Sequence, residues 1–116
     1  MKLSYIIPFY NGQDTIHHCL DSILAIGLDR NEFEIIIVDD CSPTSAEIVL
    51  SKYLTKNNIR IVRHIENKRQ GGAKNTGIAI AKGQYIAFAD QDDTVIANNS
   101  KLALDFALQH DVDMLA

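Results

Sequence analysis

The apolar positions of this chain follow two patterns that alternate along the sequence. Three runs are continuously apolar, as in strands that are buried on both faces of a parallel sheet. They are residues 3–9, 33–38 and 85–89. A fourth run, residues 59–65, mixes apolar and basic side chains. This mixture predicts a strand at the edge of the sheet.

Between these runs the apolar positions recur every three or four residues, as on the buried face of a helix. Residues 16–24 show this period most clearly, and residues 46–54 repeat it. The first segment has Asp14 as an N-cap and Gly27 as a C-terminal stop. The second segment is introduced by Thr44 and Glu47, which have the spacing of a capping box.

Two further helices are predicted at residues 73–82 and 100–110, and residues 112–116 would begin another strand. Strands and helices therefore alternate, which predicts an α/β fold with an open, mostly parallel sheet and flanking helices. The length of 116 residues fits one domain, residues 1–116. Ligands of such sheets bind beyond the carboxyl ends of the strands, where the strand order reverses.

Composition excludes several classes of protein. With 47% hydrophobic residues the chain has enough apolar side chains to form a core. The net charge of -4 has the wrong sign for a nucleic-acid partner. Cys19 and Cys41 form no CxxC pair, so neither a zinc site nor a disulfide framework is predicted. The apolar run at residues 3–9 is too short to span a membrane, and we expect a soluble, cytoplasmic protein.

Polar side chains follow three of the predicted strands. Tyr10 and Asn11 follow the first strand, Asp39 and Asp40 end the second, and the acidic segment 90–93 follows the last. Two like charges 4 Å apart repel by about 4 kcal/mol at an effective dielectric constant of 20, so clustered carboxylates favour a bound cation. Hard oxygen ligands suit Mg²⁺ or Mn²⁺, completed by phosphate oxygens of a ligand. The pattern predicts a metal-diphosphate site, although solvated turns also use Asp.

Two glycines mark the predicted start of the third helix. Gly71 and Gly72 lie in the segment 70–77, where free backbone NH groups and the helix dipole suit an anion. The segment matches neither the GxGxxG fingerprint nor the phosphate-binding GxxxxGK[ST] loop. A flexible loop that enters a helix therefore stays an alternative.

Five separated motifs resemble, in order and in spacing, those of the family 2 glycosyltransferases with the GT-A fold. They are residues 4–11, 20–23, 33–42, 71–77 and 83–93. The resemblance implies a nucleotide-diphospho-sugar donor, usually a UDP-sugar, a Mn²⁺ or Mg²⁺ ion, and inversion at the sugar carbon. The acceptor would be a glycan, a lipid or a protein, and the full-length protein could lie at the inner face of a membrane.

The resemblance also implies roles for individual residues. Tyr10 would pack on the base, and Asp40 would accept a hydrogen bond from its ring NH. Residues 90–92 match the DxD motif, in which Asp92 would be the main metal ligand and Asp90 would support the metal or the ribose. The residues implied in nucleotide-sugar binding are Pro8, Tyr10, Asp39, Asp40, Gly72, Lys74, Asp90 and Gln91.

The sequence departs from the family pattern at three points. Cys41 stands where the family usually has Gly, and Lys74 where it usually has Arg, which loses the bidentate fork of the guanidinium. The catalytic base of the family is an Asp or Glu well beyond the DxD motif, and we expect it beyond Ala116. The chain is therefore interpreted as a truncated, donor-binding part that transfers little or no sugar alone.

Other interpretations of the same residues remain. In a haloacid-dehalogenase-like phosphohydrolase Asp90 would be the nucleophile and Asp92 the acid/base. A receiver-like domain or a non-catalytic nucleotide-binding module would also gather carboxylates at one sheet edge. The histidines, His64 among them, lack metal-ligand spacing and are assigned structural or surface roles. The basic residues are assigned to a solvated face, although Lys68 or Arg69 could approach a diphosphate. They are Arg60, Arg63, Lys68 and Arg69.

Overall fold

Four parallel strands form the frame of the computed structural model, which describes residues 2–25, 29, 31–53 and 58–89. The strands are β1 (Leu3–Phe9), β2 (Phe33–Asp39), β3 (Ile59–Arg63) and β4 (Tyr85–Phe88). The helices are α1 (Ile16–Leu24), α2 (Ala46–Val49), a short 3-10 helix (Ser51–Tyr53) and α3 (Arg69–Ile80). The predicted helix 100–110, the predicted strand 112–116 and the acidic segment 90–93 lie outside the described residues.

The strand order is β3-β2-β1-β4. The predicted α/β fold with a parallel sheet is confirmed, and so is the edge position of β3. Strands β2 and β3 lie on one side of β1, and β4 lies on the other side. The order of the strands thus reverses between β1 and β4, and a ligand crevice is expected beyond their carboxyl ends.

Two apolar layers cover the two faces of the sheet. Successive side chains of a strand point to opposite faces, and β1 shows this alternation: Tyr5 and Ile7 belong to one cluster and Ile6 to the other. The first cluster packs against the buried face of α1, which consists of Ile16, Cys19, Leu20 and Ile23. The second cluster includes Ala73 of α3. The predicted burial of β4 is only partly right, because Ile86 and Phe88 are half-buried.

Helix α1 has the predicted bounds but a different N-cap. Thr15 rather than Asp14 occupies that position, and no side-chain hydrogen bond caps the helix. Instead, the backbone NH groups of Thr15 and Ile16 donate to the carbonyl oxygen of Gly12, at 3.2 and 2.9 Å. The turn that follows β1 therefore begins this helix, and the predicted stop at Gly27 lies outside the described residues.

Helix α2 is shorter than predicted and begins at another cap. Ser45 accepts a hydrogen bond from the NH of Ile48, whereas the prediction placed the cap at Thr44. The helix ends at Val49, and a 3-10 turn replaces the rest of the predicted segment. Among the described residues, no helix has both the length and the apolar composition that crossing a membrane would require.

Helix α3 begins four residues earlier than the predicted start at residue 73, so Gly71 and Gly72 lie within its first turns. A Cβ atom on Gly77 would lie 2.4 Å from the Cγ2 atom of Ile6 in β1. The absence of that side chain lets the helix approach the sheet closely. This packing positions the residues of α3 over the end of β1.

Truncation of one side chain on α1 tests how this helix packs against the sheet. Leu20 is fully buried in the larger cluster, and Leu20→Ala is expected to lower the free energy of unfolding by about 2 to 5 kcal/mol. Ile48 on α2 is 72% exposed, so Ile48→Ala is the matched control and should change stability little. Chemical denaturation of both variants measures the difference. A loss below about 1 kcal/mol for Leu20→Ala would contradict the buried position.

Candidate functional site

The carboxyl ends of β1, β2 and β3 are joined at one edge of the sheet. The NH of Asp40 donates to the carbonyl oxygen of Phe9 at 2.9 Å, and the NH of His64 donates to that of Asp39 at 2.8 Å. These bonds continue the parallel pairing by one residue beyond the strands. The polar residues that follow the three strands are thereby held side by side.

Asp40 is the central carboxylate of this edge and is 4% exposed. Its Oδ1 atom accepts hydrogen bonds from Nδ1 of His64 at 2.8 Å and from the NH of Lys68 at 2.7 Å. Burial acts to raise the pKa of Asp40, but the hydrogen bonds from His64 and from the NH groups of Lys68 and Arg69 outweigh it and lower the pKa. The side chain is therefore an ionised acceptor at neutral pH.

Asp39 has a different environment from its neighbour. Its Oδ1 accepts from the NH of Ser42 at 2.9 Å, and its Oδ2 accepts from the NH of Ala46 at 2.8 Å. Arg63 forms an ion pair with Oδ2 at 2.7 Å. These bonds fix the loop between β2 and α2, so the structure shows a local positioning role for this carboxylate.

The basic residues of β3 keep the exposure that their assignment to a solvated face predicts, and they also pair with buried carboxylates. Arg63 contacts Asp39, and Arg60 contacts Glu34 with an N–O distance of 2.8 Å. Both partners are buried acids on β2, and β3 pairs directly with β2. The mixed apolar and basic pattern of β3 therefore reflects ion pairing across the sheet edge.

Tyr10 and Asn11 form the turn that follows β1. Tyr10 is 45% exposed, so its ring is accessible to a ligand at this edge. Asn11 has a φ angle of 55°, a left-handed conformation that Asn tolerates better than most residues. Its NH donates to the Oγ atom of Ser42 at 2.9 Å. Pro8 is buried within β1 and pairs with Val38 of β2.

Helix α3 carries two of the predicted residues, and it brings one of them, Lys74, to the end of β4. The ammonium nitrogen of Lys74 lies 5.3 Å from the centre of the Phe88 ring, which is a cation–π distance. Phe88 is the last residue of β4, two positions before Asp90. A Cβ atom on Gly72 would lie 2.6 Å from the Cβ of Lys68, so the first turn of the helix is tightly closed there.

The predicted metal ligands Asp90 and Asp92, with Gln91 between them, lie outside the described residues. Within residues 2–25, 29, 31–53 and 58–89, no group of three His, Cys, Asp or Glu side chains is placed to hold a metal ion. Asp39 and Asp40 are already engaged by protein donors. The hard carboxylate oxygens of the DxD segment fit Mg²⁺ or Mn²⁺ in their chemistry, and they follow β4 at the strand-order reversal.

His64 is the residue of this edge that the sequence interpretation missed. It is 6% exposed, directly follows β3 and contacts the carboxylate of Asp40. The predicted strand 59–65 placed His64 within the strand, whereas β3 ends at Arg63 and leaves His64 at the carboxyl edge of the sheet. The loop that follows it borders an open cleft of about 390 Å³, lined by residues 63–66 and 68.

A parallel sheet of this order, with polar residues gathered beyond its carboxyl edge, defines an α/β protein of the GT-A class. The family model described as glycosyl transferase family 2 matches residues 4–116. The chain belongs to glycosyltransferase family 2. The resemblance drawn from the five motifs is therefore confirmed, and the dehalogenase and receiver alternatives are set aside.

The chain is 41% identical over 97 residues to a poly(ribitol-phosphate) beta-glucosyltransferase of Bacillus spizizenii, covering 82% of this chain and 15% of that protein. The structure of residues 1–349 of TarS from S. aureus in complex with UDP-GlcNAc is 33% identical, with a TM-score of 0.86. The match covers 96% of this chain and 32% of TarS 1–349.

A likeness of fold alone extends to a mannosyltransferase of Pyrobaculum calidifontis, solved with GDP-Man and Mn²⁺. It is 21% identical with a TM-score of 0.83, over 91% of this chain and 32% of that one. In all three comparisons the chain spans a third or less of the matched protein's length.

Proposed function

We propose that residues 1–116 are the donor-binding part of an inverting glycosyltransferase that uses a UDP-sugar and a divalent cation. The observation that carries the proposal is the Asp40 carboxylate, which is buried, ionised and fixed at the sheet edge, where its backbone NH bonds Phe9, the residue before Tyr10. The TarS structure with UDP-GlcNAc, at 33% identity, supports this donor class.

Asp40 would select the base. An ionised carboxylate accepts hydrogen bonds and donates none. Because Oδ1 already accepts from His64 and Lys68, Oδ2 is proposed to accept the ring NH of uracil. Cytosine presents an unprotonated ring nitrogen at the same place, and two acceptors repel each other. Tyr10 would pack on the face of the base, as its exposure allows.

The diphosphate would lie nearer the end of β4. Lys74 over Phe88 places a positive charge beside the entry to the DxD segment, and Gly72 lies on the same helix two residues earlier. Asp92 and Asp90 would hold the metal ion, with Gln91 between them. A bound divalent ion supplies Lewis-acid stabilisation of the departing diphosphate. Asp39 is proposed to position the loop next to Asp40.

The other parts of the proposal concern the whole protein. The relatives are named for transfer to poly(ribitol-phosphate), and here the acceptor is proposed only as a glycan, lipid or protein. That this chain transfers little sugar alone, and that the protein lies in the cytoplasm or at the inner membrane face, stay predictions. The family membership favours an enzyme over a non-catalytic nucleotide-binding module.

Calorimetric titration tests the donor site. UDP is expected to bind in the presence of Mn²⁺ and much more weakly with EDTA, and CDP is expected to bind less tightly than UDP. Asp40→Asn should weaken UDP binding about 10- to 100-fold, because a hydrogen bond to a charged group contributes about 1.5 to 3 kcal/mol. Equal affinity of wild type for UDP and CDP would contradict the base contact.

Asp21→Asn is the matched control for this titration. Asp21 is an exposed carboxylate on α1 whose Oδ1 accepts from the hydroxyl of Tyr53, away from the carboxyl edge of the sheet. The same change of charge there should leave UDP affinity unchanged. A comparable loss in both variants would mean that general electrostatics, rather than contact with the base, controls binding.

A further inference from the structure

A chain of buried and partly buried hydrogen bonds connects the end of β2 to the middle of α3. We infer that His64 and Thr76 form a positioning pair that fixes the orientation of the Asp40 carboxylate for base recognition. The inference rests on the proposed donor site, and it assigns roles to two residues to which the family resemblance gave none. His64 and Thr76 act through Asp40 and are not themselves placed against the donor.

The geometry of the chain is continuous. Nδ1 of His64 lies 2.8 Å from Oδ1 of Asp40, and Nε2 of the same ring lies 2.7 Å from the hydroxyl of Thr76. That hydroxyl lies 3.0 Å from the carbonyl oxygen of Gly72, one turn earlier in α3. The side chains of His64 and Asp40 are 5% and 6% exposed. Bulk water therefore offers little competition for these bonds.

The hydrogen bond to the carboxylate has a direction that the chemistry of the groups sets. The ionised Asp40 carboxylate only accepts hydrogen bonds, so Nδ1–H of His64 is the donor. Because the acceptor is ionised, this is a charge-assisted hydrogen bond. The hydroxyl of Thr76 bonds Nε2 on the other side of the ring and lies within hydrogen-bond distance of the carbonyl oxygen of Gly72.

This arrangement determines which way the carboxylate faces. His64 and the NH of Lys68 both donate to Oδ1, and neither of these two bonds uses Oδ2, the oxygen proposed to meet the base. Thr76 holds the imidazole ring from the opposite side. It lies on α3, the helix that also carries Lys74, so the base side and the proposed phosphate side of the site share one rigid element.

The bond between His64 and Asp40 is tested first, without any nucleotide. In the nitrogen-15 NMR spectrum of the protein, Nδ1 of His64 is expected at the shift of an imidazole nitrogen that carries a hydrogen. The assignment comes from the spectrum of His64→Gln, in which the ring signals should vanish. A resonance of Nδ1 without a hydrogen would overturn the bond to Asp40, whatever the protein binds.

The positioning role is tested with two variants of Thr76. Thr76→Val keeps the shape of the side chain but removes the hydroxyl that bonds Nε2 of His64, and it should weaken UDP binding about tenfold, in keeping with the loss of one hydrogen bond. Thr76→Ser keeps the hydroxyl and should bind within about twofold of wild type. Melting temperatures show whether Thr76→Val remains folded. Equal UDP affinity of Thr76→Val and wild type would overturn the role.

A double-mutant cycle separates positioning from general destabilisation. If Thr76 acts through Asp40, Thr76→Val should have no further effect on UDP binding in the Asp40→Asn background. Additive losses would instead overturn the positioning role. Failure of wild type to bind UDP would overturn the proposed function and with it this role, whereas UDP binding that Thr76→Val leaves unchanged would overturn the role of the pair alone.

Discussion

Asp92→Asn is expected to abolish metal-dependent UDP binding and to leave the melting temperature nearly unchanged. The substitution keeps the size of the side chain but removes the negative charge that a divalent ion requires from its main ligand. Folding should tolerate it, because clustered carboxylates repel one another when no cation is bound. UDP titration with and without Mn²⁺, together with a thermal melt, measures both quantities.

Asp93→Asn is the comparison variant, since it makes the same change of charge one residue away. The family resemblance implies only an outer-shell place for Asp93, so this variant should weaken metal-dependent UDP binding much less than Asp92→Asn. Unchanged affinity of Asp92→Asn would refute the assignment of the metal ligand. The base contact of Asp40 would then remain a separate proposal, because its evidence comes from β2 and β3.

Glu34→Gln is expected to lower the free energy of unfolding by about 3 kcal/mol, because it removes one partner of a buried ion pair. Glu34 lies on β2 and is 2% exposed. It accepts from Oγ of Ser4 at 2.6 Å and from the NH of Lys82 at 2.7 Å, and it pairs with Arg60. This expected loss of stability is at the low end of the range for broken buried ion pairs, because the Arg60 side chain is 38% exposed and water can solvate its charge.

The same residue should make stability depend on pH. Burial acts to raise the pKa of Glu34, but hydrogen bonds from Ser4, the NH of Lys82 and Arg60 outweigh it and lower the pKa below 4.5. A carboxylate with a lowered pKa stabilises the folded state above the pKa of the unfolded chain. That stabilisation is lost as the pH falls below 4.5 and through the folded pKa. Chemical denaturation at several pH values across this range should show that the free energy of unfolding falls less steeply with decreasing pH for Glu34→Gln than for wild type.

Glu32→Gln is the matched control for this experiment. Glu32 pairs with Lys2 at 2.7 Å at the surface, and the loss of an exposed pair should leave stability nearly unchanged. If Glu34→Gln were no more destabilising than Glu32→Gln, the bonds to Ser4 and Lys82 would not hold the connection between α3 and β4 in place.

The strands and the first helix were predictable because their signals are local. The buried positions of β1 and β2 form continuous apolar runs, and those of α1 recur every three to four residues. Both patterns can be identified from residues that are neighbours in the sequence. The start of α3 was predicted less well, because a distant part of the chain binds the first NH group there. The NH of Lys68, at the start of α3, donates to Asp40, which is 28 residues earlier.

Some residues of the candidate site could likewise be predicted from the sequence, and others could not. Asp40 and Tyr10 could be placed at the ligand edge, since both follow predicted strands. His64 could not be connected to Asp40 by sequence spacing, because β3 pairs with β2 only in the folded sheet. Cys41 has a φ angle of 63°, a backbone conformation that explains why the family usually has Gly at this position.

Apolar periodicity and the five motifs, read along the chain alone, determined the parallel α/β fold, the family and the carboxylates at the end of β2. Only the tertiary structure decided which protein groups each of these two acids binds. Asp39 and Asp40 are adjacent acids of one strand end, yet the first holds the α2 loop and the second receives His64. The physical reason is that a carboxylate's partners are set by which strands and helices surround it in space, and sequence order does not record those distances.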